Sequence, residues 1–241
     1  MIIEEITMPD FIAGLERTRT VLLPCGSVEE HGPHLPLGTD TIHVYELCKE
    51  VARRTEVFVA PPVHYGLMRS TREHPGTIGI RGSTLRAVVR DIVSDLYRQG
   101  LRNFLIISGH ASALQISSLV ETGEELLERH PEIGLAVLSA LDVAPRAWQE
   151  IIVSKDDSHA GEVETSLMLF LRNSLVGSDR PKEKPHFPPH LLVRDKQRYW
   201  PGGVWGDAGH ATREKGQQLF ERSVQAMVAL IDALNSHNNV F

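Results

Sequence analysis

The 241-residue sequence has few cysteines and no excess of basic residues. Its two cysteines, Cys25 and Cys48, cannot form a disulfide framework, and so few thiols are typical of a reducing compartment. Lysine and arginine number 25 against 31 acidic residues, which does not favour nucleic-acid binding. No apolar run approaches about 18 residues, and the amino-terminal residues do not resemble a signal peptide. We therefore expect a cytoplasmic protein that binds neither nucleic acid nor membrane.

Short apolar runs alternate with longer amphipathic stretches along the whole chain. This alternation predicts an α/β protein with a mainly parallel sheet and helices on both faces, folded as one domain over residues 1–241. The predicted strands are Thr20–Ser27, the start of Val57–Gly66, Asn103–His110 and Gly134–Asp142. The predicted helices are Thr39–Arg54, Ser83–Gln99 (capped by Ser83 and followed by Gly100), Ala113–His130, one beginning near Gly161, and Thr212–Asn235. Between the last two helices, Asp179–Gly209 carries two of the three tryptophans and predicts a wall of the active site or a subunit contact.

The segment Gly26–Asp40 follows the first predicted strand directly and contains the strongest cluster of possible metal ligands. Ligands of open α/β sheets bind just beyond the carboxyl ends of the strands. Glu29 and His31 are two residues apart, so both can point the same way from an extended loop, and Asp40 closes the loop where a helix begins. Carboxylate and imidazole groups together suit a divalent metal. The alternative is an acidic loop in which Asp40 only caps the helix.

Two further histidines lie next to other predicted elements, one after a strand and one before a helix. His110 comes just after the central strand, where a histidine is more often structural than metal-binding. His159 precedes a predicted helix start and Glu164 lies five residues later; the alternative there is a capping box with solvated glutamates. Because three such groups at three strand ends meet at one rim of the sheet, together they favour a metal site.

Five blocks of this sequence resemble the creatininase (creatinine amidohydrolase) superfamily. They are LPCGSVEEHGPHLPLGTDT, STREHPGTIGI, SGHAS in the place of the family's usual Gly-His-Gly-Gly-Asn, HAGEVETS, and GGVWGDAGHATREKG. The blocks occur in the family's order and cover most of the chain. The resemblance implies a creatininase-like three-layer α/β/α fold, a site for two divalent ions (Zn, Mn or Fe) in each chain, and a homo-oligomer, commonly a hexamer.

The resemblance also implies roles for individual residues. Glu29, Asp40 and His110 correspond to the ligands of one ion, and His31 and Asp40 to ligands of the second, with Asp40 bridging. The second ion of creatininase has a further glutamate where this chain has Ser112, and the resemblance points to Glu164 as its replacement. His159 corresponds to the catalytic histidine. Glu162, on another face of the same predicted helix, is expected to matter little for metal binding.

Several neighbouring residues are candidates for substrate binding or for support of the ligands. Glu30 is expected to orient a histidine, and Ser112, Glu73 and His74 to lie near the substrate. His34 is expected at the surface or as a capping group, with orientation of a metal ligand as the alternative, and His43 is expected at the surface, facing away from the ligands on its helix. The tryptophan that closes over creatinine in the family's namesake is replaced by Lys155, with Trp148 a doubtful substitute. This replacement and Ser112 argue against creatinine as the substrate.

We therefore predict a metal-dependent amidohydrolase that cuts a C–N bond in a cyclic amide, a formamide or a short peptide end, with a metal-activated water as nucleophile. One alternative is a metal-dependent hydrolase of another ring bond, such as a C–C bond in a cyclic ketone. Another is a non-catalytic metal-binding scaffold that works as an oligomer. The pairing of the proposed ligands with His159 disfavours the scaffold.

Overall fold

A four-stranded parallel sheet lies at the centre of the computed structural model, which describes residues 1–144 and 148–238. Its strands are β1 (Thr20–Cys25), β2 (Phe58–Val59), β3 (Asn103–Ser108) and β4 (Gly134–Ser139), in the spatial order β2-β1-β3-β4. All residues of β1 and β3 are buried, as continuous apolar strands require when both faces of a sheet are covered. The predicted strands are confirmed, and each ends two or more residues earlier than predicted.

Within residues 1–144 and 148–238, six helices cover the two faces of this sheet. They are α1 (Met8–Leu15), α2 (Thr39–Arg54), α3 (Gly82–Arg98), α4 (Ala113–Arg129), α5 (Glu162–Leu171) and α6 (Arg213–Asn238). On one face, α2, α5 and α6 pack against Leu22, Leu105 and Ile107 of the sheet. On the other, α1, α3 and α4 pack against Phe104 and Ile106. The two apolar layers confirm the three-layer α/β/α arrangement, with neighbouring strand residues alternating between them.

Helix α3 shows one difference between the predicted and observed termini. It begins at Gly82, and its N-cap is Arg81 without a side-chain hydrogen bond, so the prediction of Ser83 as the cap is wrong. At the other end, Gly100 follows the last turn with a φ of +111°, a left-handed conformation that glycine adopts without the penalty of a β-carbon.

The long connection between α5 and α6 folds over the carboxyl ends of the strands. Within it, β5 (Lys182–Glu183) and β6 (Gly206–Asp207) form a two-stranded antiparallel ribbon. The ribbon places Trp200 in a buried position and leaves Trp205 half-buried. No helix within residues 1–144 and 148–238 is both long and apolar enough to cross a membrane.

Candidate metal centre

The candidate metal centre lies where β1 and β3 end side by side. These two strands pair in register from Thr20 opposite Asn103 to Cys25 opposite Ser108. The loop after β1 carries Glu29 and His31, and the turn after β3 carries His110. Adjacent parallel strands therefore bring residues about 80 positions apart in sequence to one rim, as the topology of open α/β sheets predicts.

Helix α2 supplies Asp40 from its first turn, directly against the end of β3. A β-carbon on Gly109 would lie 2.1 Å from the backbone carbonyl oxygen of Asp40. Only glycine therefore permits this close approach of strand end and helix start. The approach places the Asp40 carboxylate between His31 and His110, with 2% of the residue exposed.

The two carboxylate oxygens of Asp40 face different partners. Its Oδ1 lies 3.2 Å from Nε2 of His31, and its Oδ2 lies 3.2 Å from Nδ1 of His110. The hydroxyl of Ser27 donates a hydrogen bond of 2.5 Å to Oδ2 and fixes the orientation of the carboxylate. Ser27 was not among the candidates from the sequence, although it lies within the same motif.

A second carboxylate stands beside each of these histidines. Glu29 Oε2 lies 2.7 Å from Nδ1 of His110, and Glu164 Oε1 lies 3.8 Å from Nε2 of His31. The groups whose possible ligand atoms lie within 4.8 Å of one another are Glu29, Asp40 and His110; His31, Asp40 and Glu164; and Glu29, His31 and His159. All five residues for which the sequence predicted metal ligation thus meet in one buried cluster.

The buried histidines and carboxylates of this cluster stabilise one another's charges. Burial opposes a charge on His110, but the neighbouring carboxylates of Glu29 and Asp40 outweigh it and raise its pKa to about 10. Burial likewise opposes a charge on His31, yet Asp40 and Glu164 hold its pKa well above the usual value. Three carboxylates concentrated out of water require compensating positive charge, from protons on the histidines or from bound cations.

Several buried atoms of the cluster have no hydrogen-bond partner within the described part of the chain. They include Nε2 of His110 and Nε2 of His31, one nitrogen from each histidine of the two candidate ligand groups that share Asp40. The opposite nitrogen of His31, Nδ1, lies 3.0 Å from the backbone carbonyl oxygen of Glu29, to which it can donate, leaving Nε2 free to bind a cation. Imidazole nitrogens and carboxylate oxygens fit Zn, Mn or Fe.

His159 enters the site from the segment before α5. It forms an isolated antiparallel bridge with Trp205, whose N–H donates to the His159 carbonyl over 2.8 Å. Its Nε2 lies 2.8 Å from the backbone carbonyl oxygen of Glu30 and 3.5 Å from Glu30 Oε1. The prediction that Glu30 orients a histidine agrees with this contact. The next residue, Ala160, has a φ of 51°, a conformation rare outside glycine, and its N–H donates to Glu164 over 2.5 Å.

The cavity above the cluster has a volume of about 310 Å³ and an aromatic wall. Trp200 and Trp205 both line it, and the Trp200 ring centroid lies 5.4 Å from that of His159 in an edge-on arrangement. Ser112 lines the cavity but belongs to none of the candidate ligand groups. Through these two tryptophans, the 179–209 segment forms part of the wall of this cavity, in agreement with the expectation that it is a wall of the active site.

Glu73 and His74 do not line this cavity. Glu73 forms an ion pair with Lys196 at 3.0 Å, and Nε2 of His74 lies 2.6 Å from the backbone carbonyl oxygen of Trp200. Both residues therefore anchor the 179–209 segment rather than reaching the cavity. Thr71, from the same block, lines the cavity and donates a short hydrogen bond to Glu29, a contact that the sequence analysis missed.

The expectation that His34 and His43 lie at the surface is wrong, because each is only 2% exposed. Nε2 of His34 lies 2.8 Å from the hydroxyl of Thr165 in α5. His43 lies in α2, where burial lowers its pKa to about 4. His34 lies in the loop before α2 and is covered by α5, whereas His43 is buried because α5 and α6 cover more of α2 than its apolar stripe indicated.

Fold and site together define a metal-dependent hydrolase built on a parallel α/β/α sheet. The family model for creatininase (creatinine amidohydrolase) matches residues 4–231. The chain is 32% identical to the creatinine amidohydrolase of Pseudomonas putida over 94% of both chains. It is 27% identical to the mycofactocin precursor peptide peptidase of Mycobacterium ulcerans, over 88% of this chain and 84% of the relative.

A solved structure of a mutant creatininase, Zn-Zn type, superposes with a TM-score of 0.86 at 30% identity and covers 95% of this chain and 96% of that chain. The chain belongs to the creatininase family. The prediction of a metal-dependent amidohydrolase is thereby confirmed at the level of its class.

Proposed function

We propose that this protein hydrolyses a C–N bond with the help of two divalent ions, for which Asp40 would be a shared ligand. The observation that carries the proposal is the position of the Asp40 carboxylate. Its two oxygens face two different sets of buried ligand candidates. One ion would be held by Glu29, Asp40 and His110, and the second by His31, Asp40 and Glu164. Each set has three protein ligands, the usual number at a catalytic site, where a further position stays open for water.

Two bound ions would supply a water acidic enough to act as a nucleophile at neutral pH and an electrophile for the carbonyl oxygen of the substrate. His159 would hold the proton that the leaving nitrogen requires. Its Nε2 faces the backbone carbonyl of Glu30, which can only accept a hydrogen bond, so in the neutral ring Nδ1 carries the basic lone pair. We assign His159 to proton transfer rather than to metal ligation because it belongs to neither of the two candidate ligand groups that share Asp40.

Glu30 would fix His159 in this orientation. Besides facing the histidine, its carboxylate accepts a hydrogen bond of 2.9 Å from the N–H of Gly32. It also packs so closely on Gly203, whose φ is +66°, that a β-carbon there would lie 1.9 Å from Oε2. Trp200 and Trp205 would exclude bulk water from one side of the reacting bond.

The substrate class that we propose is a cyclic amide, a formamide or a short peptide end. The test is hydrolysis by protein reconstituted with Zn, Mn or Fe(II), using a panel of amides from each class. At least one class should be hydrolysed, and His159→Ala should reduce kcat by about 10²- to 10⁴-fold while metal content stays unchanged. Metal-loaded protein that hydrolyses none of them would favour the non-catalytic scaffold. A fully active His159→Ala variant would contradict the role of His159 in proton transfer.

The remaining predictions about the molecule also stay proposals. We propose one domain over residues 1–241, a homo-oligomer with the hexamer as the expected assembly, and a cytoplasmic location. Both cysteines are free and buried, which is compatible with a reducing compartment. Sedimentation velocity of the metal-loaded protein would test the assembly directly.

A further inference from the structure

A second, larger cavity lies beside the candidate metal centre. We refer to it as the outer cavity; it is lined by residues 153–156, 182–184 and 205–207 and by His210, and its volume is about 600 Å³. The cavity over the metal centre has about half that volume. Trp205 lines both cavities, so this residue belongs to the wall of each.

The walls of the outer cavity are held in place by buried hydrogen bonds. Glu162 accepts hydrogen bonds from the N–H groups of Val153 and Ser154, at 3.0 and 2.7 Å, and so anchors the segment that carries Lys155. On the opposite side, the ribbon of β5 and β6 forms the wall. The backbone of Trp205 is hydrogen-bonded to that of His159. Trp205, which lines both cavities, is therefore held beside the proposed proton donor.

Lys155 is the lysine of this cavity that lacks a carboxylate partner. Lys182 pairs with Asp207 at 2.9 Å, and Lys184 pairs with Asp156 at 2.7 Å. The remaining carboxylate, Glu183, accepts hydrogen bonds from two backbone N–H groups of the 179–209 segment. Lys155 has neither a hydrogen bond nor an ion pair within residues 1–144 and 148–238. The outer cavity thus presents an exposed lysine without an ion pair, together with the half-buried Trp205.

We propose that the outer cavity extends the active site and binds the far end of an elongated amide substrate. Lys155 would bind a carboxylate at that end, and the apolar part of the substrate would pack on Trp205. An anion with an apolar body fits this combination, because an ammonium group attracts the carboxylate while the indole buries apolar surface. The claim that the bound carboxylate belongs to a substrate rests on the proposed function. The claim that Lys155 binds a carboxylate does not depend on it.

The proposal can be tested by NMR of full-length, zinc-loaded protein with ¹⁵N-labelled indoles. The probes are 4-phenylbutyrate and 4-phenylbutyramide, which have nearly the same shape and differ in charge. Both should shift the indole signal of Trp205 and leave that of Trp148, which packs in the core, unchanged. The acid should bind about fivefold more tightly than the amide, the scale of one exposed ion pair.

Lys155→Gln should abolish the preference for the acid, whereas Lys182→Gln should retain it because Lys182 is already paired with Asp207. Equal binding of both probes to the unsubstituted protein would overturn the proposal. A preference that survives Lys155→Gln would also overturn it, since the carboxylate would then bind elsewhere, such as at the metal ions. Because this readout needs no turnover, failure of the amidohydrolase assay alone would contradict only the proposed function.

Discussion

At the residue scale, Asp40 connects the two halves of the candidate metal centre. Its position depends on the absence of a side chain at Gly109 and on the hydrogen bond from Ser27. The sequence indicated all five ligand candidates because each lies just beyond a strand or at the start of a helix. Ser27 and Thr71, which orient two of the carboxylates, were missed because a hydroxyl in a loop gives no periodic or charged signal.

Glu30 is a positioning residue for His159 in this account. We expect Glu30→Gln to reduce kcat by about 10- to 100-fold, because the carboxylate that faces His159 Nε2 is lost. Metal content should stay at the level of the unsubstituted protein, since Glu30 belongs to none of the candidate ligand groups. Steady-state kinetics together with elemental analysis would measure both effects. Loss of metal with unchanged kcat per bound ion would contradict the assignment.

His43 predicts a specific sensitivity to acid. Burial lowers its pKa to about 4 from 6.5, so the unfolded chain binds a proton more readily than the folded protein. Stability is therefore lost as the pH falls below 6.5, and His43 should account for about 2 kcal/mol of unfolding free energy lost between pH 7 and pH 5. Urea unfolding at the two pH values would measure the loss.

The matched variants for this prediction are His43→Leu and His64→Leu. The first removes the buried titrating group and should reduce the pH dependence by that amount. The second removes an exposed histidine and should leave the pH dependence unchanged. Identical pH dependence in the unsubstituted protein and His43→Leu would contradict the explanation.

At the element scale, helix α5 directs two glutamates of its first turn, Glu162 and Glu164, to different surroundings. Glu164 faces His31, whereas Glu162 faces the opposite way and contacts Lys215 and the backbone of Val153 and Ser154. The expectation that Glu162 is irrelevant to the metal agrees with this direction. Its complete burial was not foreseen, because the segments that cover it come from distant parts of the chain.

Glu162→Gln should therefore destabilise the protein. The variant loses the ion pair with Lys215 and weakens two buried hydrogen bonds, for a cost of about 1–3 kcal/mol and a decrease in Tm of several degrees. Thermal unfolding followed by circular dichroism would measure this decrease. Glu124→Gln, on the exposed face of α4, is the matched control and should keep the original Tm. Equal Tm values for the two variants would count against the structural role of Glu162.

At the scale of the whole molecule, the layered fold was predictable and the shape of the substrate cavity was not. Apolar runs such as β1 and β3, each followed by an amphipathic helix, determine a parallel sheet with two covered faces. The 179–209 segment has no such period, so its path over the strand ends depends on contacts between distant residues. The contact of His74 with the Trp200 carbonyl is one of these.

Lys155 and the two tryptophans of this segment bear on whether creatinine is the substrate. The lysine in place of the namesake's aromatic lid lines the outer cavity rather than the cavity over the metal centre, where Trp200 and Trp205 provide the aromatic wall instead. We expect creatinine to be a poor substrate of the metal-loaded protein, because Lys155 and Ser112 replace the aromatic lid and the metal-binding glutamate that the resemblance to creatininase implies. Measured kcat/KM for creatinine should stay below about 10⁴ M⁻¹s⁻¹, near the lower end of the usual enzyme range. A higher value would refute this prediction.

Counting the metal ions bound to each chain tests the central claim most directly. Elemental analysis after reconstitution with Zn, Mn or Fe(II) should find close to two ions in the unsubstituted protein and none in Asp40→Ala, which lacks the shared ligand. Glu164→Gln should hold close to one ion, and Glu162→Gln, with the same change on the same helix, should hold two. No bound metal in the unsubstituted protein, or two ions in Glu164→Gln, would contradict the two-metal account.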